Sequence, residues 1–145
     1  VLVCTHGKRD RCCALRGQPV FDALRLAPGN AQVWQTSHLG GHRFAATLLR
    51  LPDGYCLGRV PADRAAAIAS AVDQGLLSDR ALLRGQVRYP GPVQAADVFA
   101  RGIWNENRIG AVVVRTSVTD GDGWQVVLER GEEHIGRRGE AGRDG

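Results

Sequence analysis

The sequence predicts a layered α/β fold, and three observations carry that prediction. Short β-branched runs alternate with stretches of helical period, a Pro52-Asp53-Gly54 turn joins two of the runs, and an amphipathic stripe follows them. Residues 1–5 are apolar and give way to the polar stretch 6–11, which reads as a buried strand ending in a loop. Residues 12–26 set Leu15, Val20, Phe21 and Leu24 towards one side of a helix, with a kink expected before Pro19 and a stop at Pro28-Gly29-Asn30. A second strand is expected over 32–36, and the adjacent Gly40 and Gly41 speak against regular structure after it.

Residues 44–51 and 55–60 are β-like, and the turn chemistry between them predicts an antiparallel hairpin. Over 62–76, Ala65, Ile68, Ala69, Val72 and Leu76 repeat with the helical period and stop near Gly75, predicting a helix that packs on the sheet. Strand, helix, strand, hairpin, helix is the order of a thioredoxin-like layered sheet with flanking helices, here over residues 1–78. Beyond Ser78 the pattern changes. Tyr89-Pro90-Gly91-Pro92 interrupts the chain, Val93, Ala96, Ala100 and Ile103 or Trp104 mark another helix, and 111–118 with 124–129 predict a second hairpin. Residues 79–130 therefore read as a small α+β C-terminal extension packed on or beside the first unit. From Gly131 the composition is Gly, Glu and Arg, so 131–145 are expected to be a disordered tail.

Composition narrows the function classes. The 145 residues, 43% of them hydrophobic, suit one core with an appendage, and no run approaches the ~18 apolar residues of a membrane span. A chain that opens Val-Leu-Val-Cys and contains no Met reads as a processed chain or a segment of a longer protein. Cys4, Cys12, Cys13 and Cys56 do not form the dense framework of a small secreted domain; three of them crowd near one end, which points to chemistry in a reducing compartment, the cytoplasm. The formal charge of +4 is carried by Arg, with Lys8 the only lysine, and 6% aromatics without a recognised motif argue against a nucleic-acid partner. Neither nucleic acid nor membrane is expected as a partner.

The chemistry-bearing segments are Cys4-Thr5-His6-Gly7-Lys8-Arg9-Asp10-Arg11-Cys12-Cys13 and Ser37-His38-Leu39-Gly40-Gly41-His42. Cys4 ends a strand, Cys13 begins the next helix, and His38 and His42 bracket a glycine turn after the neighbouring strand. Loops beyond strand ends converge on one edge of such a sheet, so two thiols and two imidazoles can meet there. Both groups are good donors to iron or zinc, and glycines let the backbone approach a bulky group closely. Spacing alone does not separate Cys12 from Cys13 as a ligand.

The pattern Cys, eight residues, Cys, 24 residues, His-x-Gly-Gly-His, met by Cys4, Cys13 and His38 to His42, resembles the sucrase/ferredoxin-like family, the thioredoxin-like ferredoxins with bis-histidinyl [2Fe-2S] clusters. The resemblance covers residues 1–78 and weakens after them. It implies a thioredoxin-like fold, a [2Fe-2S] cluster held by Cys4, Cys13, His38 and His42, and a one-electron carrier rather than an enzyme; it does not imply sucrose hydrolysis. On this reading Cys4 and Cys13 anchor one iron and both histidines bind the other near solvent. Two imidazoles in place of two thiolates raise the reduction potential, and a ligating histidine can couple electron gain to proton gain. An electron donor and an acceptor, a reductase among them, are required, and no residue identifies either.

Beside this stand blander readings. Cys12 is a buried small hydrophobe or a spare thiol, Cys56 is a core residue, His6 is an exposed loop residue, and His134 is incidental. Arg9, Asp10 and Arg11 either lie in solvent or orient the cluster, while Ser37 and Thr5 either donate to it or serve turns. A Cys2His2 zinc module would use the same four ligands. A thioredoxin-like thiol oxidoreductase lacks its Cys-x-x-Cys, and a hydrolase lacks paired carboxylates or a Gly-x-Ser-x-Gly elbow.

Overall fold

Strand β1 (Leu2–Cys4) begins the chain, and the computed structural model describes residues 1–8 and 11–131. Arg9, Asp10, His134 and the expected tail beyond Gly131 lie outside the described residues. Helix α1 (Arg11–Leu26), strand β2 (Trp34–Thr36), strands β3 (Leu48–Leu49) and β4 (Tyr55–Leu57), helix α2 (Ala65–Asp73), strand β5 (Leu83–Gln86), helix α3 (Gly91–Trp104) and the hairpin β6 (Val112–Asp120) and β7 (Gly123–Arg130) follow. The fold is mixed α/β, with a five-stranded sheet in the order β2-β1-β3-β4-β5 and a separate β6-β7 ribbon. β1 and β2 run parallel, with Leu2 opposite Trp34 and Cys4 opposite Thr36, and every other pair is antiparallel. The sheet runs past residue 78, because β5 adds to the edge at β4.

Each element has a local cause, and some differ from the pattern read off the chain. In α1 the buried side chains are Cys13, Gly17, Val20 and Leu24, whereas Leu15 is 68% exposed. Leu15 sits two residues from both Cys13 and Gly17, about 200° around the helix, so it points away from their face. Pro19 lies inside the helix without ending it. The first hairpin forms at the expected turn with shorter strands, held by Arg50 N–H to Tyr55 C=O at 2.9 Å and an Arg50–Asp53 ion pair at 2.8 Å. Phe44 is not in a strand. It closes a one-turn 3-10 helix, His42–Phe44, because Gly41 enters the left-handed region at φ 62° and Phe44 N–H bonds back to Gly41 C=O. The expected 62–76 helix is a 3-10 turn, Ala62–Arg64, followed by α2, and the chain leaves it at Gly75 with φ 69°.

Val3, Val20, Leu24, Leu48, Tyr55, Leu57, Ile68 and Leu83 form the core, joining both early helices to the sheet. Helix α3 buries Val93 and Ala100 as expected, with Ala96 and Trp104 half-buried, but it also turns Asp97 and Arg101 inward while Ile103 is 66% exposed. The cause is electrostatic. Arg101, with no exposed surface, bonds Asp97 at 3.1 Å, the Tyr55 hydroxyl at 2.6 Å and the Arg108 carbonyl at 2.9 Å. A buried guanidinium needs such partners, and they fix which way α3 rolls. Burial pushes the Asp97 and Tyr55 pKa values up, with Arg101 opposing both. Close packing of α3 on β5 is permitted at Gly85, where an added Cβ would lie 2.5 Å from Gln94 Cβ. No helix among the described residues is long and apolar enough to cross a membrane.

Glu106 ties the end of α3 to the ribbon. Its carboxylate accepts from Arg108 N–H at 2.8 Å, from the Arg108 side chain at 2.8 and 3.0 Å, and from Arg130 at 3.3 Å. The Arg108 bonds outweigh burial and bring its pKa from 4.5 down to about 2. A carboxyl with a depressed folded-state pKa stabilises the fold above its unfolded value and loses that contribution as pH falls through the folded one. Glu106→Gln should therefore destabilise by about 2 kcal/mol at neutral pH. The gap between variant and wild type in denaturant unfolding should close as pH falls from 4.5 towards 2; a pH-independent gap would contradict this assignment.

Candidate metal centre

The parallel pairing of β1 with β2 sends two loops out from the same edge of the sheet. One runs from Cys4 to the first turn of α1, which carries Cys12 and Cys13; the other carries His38 and reaches the 3-10 turn at His42. Cys4 is fully buried and its N–H bonds Thr47 C=O at 3.0 Å, so the strand holds it from the β3 side. Helix α1 presses on it from the other side. Gly17 has no side chain because a Cβ there would stand 2.0 Å from the Cys4 carbonyl oxygen. That glycine sets how closely Cys13, one turn earlier in α1, can approach Cys4.

The donor atoms of Cys4, Cys13 and His38 all lie within 4.8 Å of one another. Cys13 Sγ is 3.9 Å from His38 Nδ1, and both cysteines are buried while His38 is half-buried. His42 is exposed and stands outside that trio, its ring stacked on His38 at 6.2 Å between centroids and 29° between planes. Of the four predicted ligands, three are brought together and the fourth lies next to the third. Cys12 is half-buried, and its thiol donates to the His42 carbonyl at 3.3 Å, which ties the start of α1 to the histidine loop. Cys56 is on β4, away from this edge, and its burial raises its thiol pKa. His6 is half-buried rather than exposed.

The glycines of the loop are explained by conformation. Gly40 and Gly41 have φ of 83° and 62°, and an added Cβ at Gly40 would meet nothing within 4 Å. The turn, more than the space around it, calls for glycine at both positions.

Electrostatics at the site hold the Cys13 thiol in its protonated form. Burial, followed by the neighbouring Cys4 and Cys12 thiols, pushes the Cys13 pKa from 9.0 up to about 12. The start of a helix favours a thiolate by only about 0.3–1 kcal/mol, too little to offset this. A nucleophilic thiol needs the opposite shift. The thiols would ligate a metal only by giving up these protons, so metal binding here would release them. Two buried thiols, one half-buried imidazole and one exposed imidazole thus fit a mixed sulfur and nitrogen metal centre.

The family model described as sucrase/ferredoxin-like matches residues 1–86, more than half of the chain. The chain belongs to the sucrase/ferredoxin-like family. The matched family region takes in all four predicted ligands and extends through β5. The chain is also similar to altered inheritance of mitochondria protein 32 of Candida glabrata, at 28% identity over an alignment 91 residues long that covers 53% of this chain and 29% of that protein. It therefore spans less than a third of that relative's length. No solved structure matches the chain.

Sequence reasoning singled out the candidate donors and missed what positions them. Gly17 sits in a helix, where glycine costs roughly 1 kcal/mol against alanine. A helical glycine so close to a ligand-bearing strand is the signal that could have found it. Gly102 in α3 provides the contrast, with nothing within 4 Å of its would-be Cβ. Gly17→Ala should lower stability by about 1–3 kcal/mol, whereas Gly102→Ala should raise it by about 0.5–1 kcal/mol. Thermal or denaturant unfolding of the two variants checks this; equal, mild effects would mean that α1 does not depend on close approach to Cys4.

Proposed function

We propose that this protein is a one-electron carrier holding a [2Fe-2S] cluster through Cys4, Cys13, His38 and His42. The observation that carries the reading is the convergence of the Cys4, Cys13 and His38 donors within 4.8 Å, with His42 stacked against His38. Membership of the sucrase/ferredoxin-like family supports it. The order β2-β1-β3-β4, with a parallel first pair and an antiparallel hairpin, supports the thioredoxin-like layering that goes with it.

When bound, such a cluster supplies a centre that accepts and returns a single electron at a potential raised by its neutral imidazole ligands. The chain's own residues do the rest. Cys4 and Cys13, both buried, would hold the group from the side away from water. His38 and His42 hold it from the solvent side. The nitrogen of His42 not used as a ligand can keep or release a proton in water, which links electron gain to proton gain.

Protein purified without oxygen should be reddish, contain iron and acid-labile sulfide in equal amounts, and bleach with dithionite. A colourless protein with one zinc and no sulfide would overturn the reading in favour of a Cys2His2 zinc module. In the coloured protein, His42→Cys should lower the reduction potential by on the order of 100 mV and flatten its pH dependence. A variant with unchanged potential and unchanged pH slope would contradict the role given to His42.

A further inference from the structure

The guanidinium groups of Arg43, Arg59 and Arg84 stand 4.9, 5.5 and 5.1 Å from the centroid of the Phe44 ring. Phe44 closes the 3-10 turn that His42 opens, so this platform begins two residues from the exposed histidine. It is a built feature. An added Cβ at Gly58 would lie 2.9 Å from Phe44 Cβ and 3.0 Å from Arg84 Nε, so only glycine leaves room for both. Arg59 N–H donates to Phe44 C=O at 2.7 Å, and Arg84 donates to Gly58 C=O at 3.4 Å. Arg59 takes a left-handed φ of 58°, which a residue with a side chain adopts only when its surroundings hold it there.

Beside the platform runs a groove of about 340 Å³, lined by Arg16, Arg43 and Arg59 with Val20, Val60 and Pro61. Among the described residues, none of Arg16, Arg43, Arg59 and Arg84 forms an ion pair, nor does Asp63, which adjoins the groove at Ala62. Arg50, Arg101, Arg108, Arg115 and Arg130 each sit on a carboxylate, whereas Arg25 and Arg88, like the platform arginines, do not; what sets the platform apart is that three guanidinium groups share one ring, against one each on Phe21 and Tyr89. Like charges gathered without counter-charges repel, and cation–π contacts with one ring offset only part of that. An acidic partner would supply counter-charge to all three guanidinium groups at once. The guanidinium groups spread over a ring and along an open groove instead of closing on one point, which suits an extended acidic surface better than a single small anion.

We propose that this face is the docking surface for an acidic protein, the partner that exchanges electrons with the centre through the His42 side. The proposal rests on the electron-carrier reading for the partner's role, and on the arginine geometry for its charge. Opposite charge at such a rim raises the association rate and orients the encounter.

Fluorescence anisotropy of a labelled octaglutamate peptide with the full chain at low salt tests it without needing a cluster, so its outcome is separate from the metal analysis above. Arg43→Gln/Arg59→Gln should weaken binding about fivefold, while Arg25→Gln/Arg88→Gln, which removes equal charge from residues stacked on other rings, should weaken it less than twofold. Arg43→Lys/Arg59→Lys should keep most of the affinity, which separates loss of charge from loss of fold. Binding should fall as salt is raised. Equal weakening by both Gln pairs would reduce the effect to net charge and overturn the proposal. Saturable binding of inorganic phosphate without peptide binding would also overturn it, by marking a small-anion site.

Discussion

Everything at the candidate centre depends on how closely α1 can lie against β1. Parallel pairing of β1 with β2 only brings two loops to one edge. Whether their side chains share a space of cluster size is decided by the contact of Gly17 with the Cys4 carbonyl, where not even a methyl group fits. Cys13 is carried on the same face of the same helix. Its distance to Cys4 and to His38 is therefore set by backbone contact and not by flexible side chains, and a site built that way is preorganised.

The second half of the chain supports this arrangement from a distance. β5 completes the sheet, α3 covers β5, and the Arg101 guanidinium joins α3 to Tyr55 on the neighbouring β4. The family match ends at residue 86, the last residue of β5, so it takes in the whole five-stranded sheet, and α3 with the β6-β7 ribbon lies outside the matched region. The ribbon is largely exposed, with Val118, Trp124 and Val127 open to solvent, and it is anchored where Glu106 meets Arg108 and Arg130.

Much of this was legible in the sequence because it rests on strong local chemistry. The Pro52-Asp53-Gly54 turn, the Gly40-Gly41 pair and the α2 stripe through Ala65, Ile68 and Ala69 each state their structure within a few residues. The ligand candidates were legible for a similar reason, being reactive groups at strand and helix ends. What was hidden depends on contacts distant in sequence. The burial of Asp97 and Arg101 in α3 was missed because both look like surface residues until Arg101 bonds Asp97 and the Tyr55 hydroxyl, more than 40 positions earlier. Leu15 was placed inward because apolar residues attract that assignment, although Gly17 and Cys13 define the face. The arginine platform was invisible because Arg43, Arg59 and Arg84 come together only through the folding of three separate segments onto Phe44.

A charge argument unites the centre and its surroundings. Inside, thiols that must lose their protons to bind a metal converge with two imidazoles; outside, three guanidinium groups gather on one ring and attract an anion. The donor convergence carries the central claim, that two cysteines and two histidines hold one cluster. Its most direct measurement is electron–nuclear double resonance on the dithionite-reduced protein with all histidines labelled with nitrogen-15. Two distinct, strongly coupled histidine nitrogens are predicted, with one lost in His38→Ala and the other in His42→Ala. A reduced cluster showing no coupled histidine nitrogen would contradict the account.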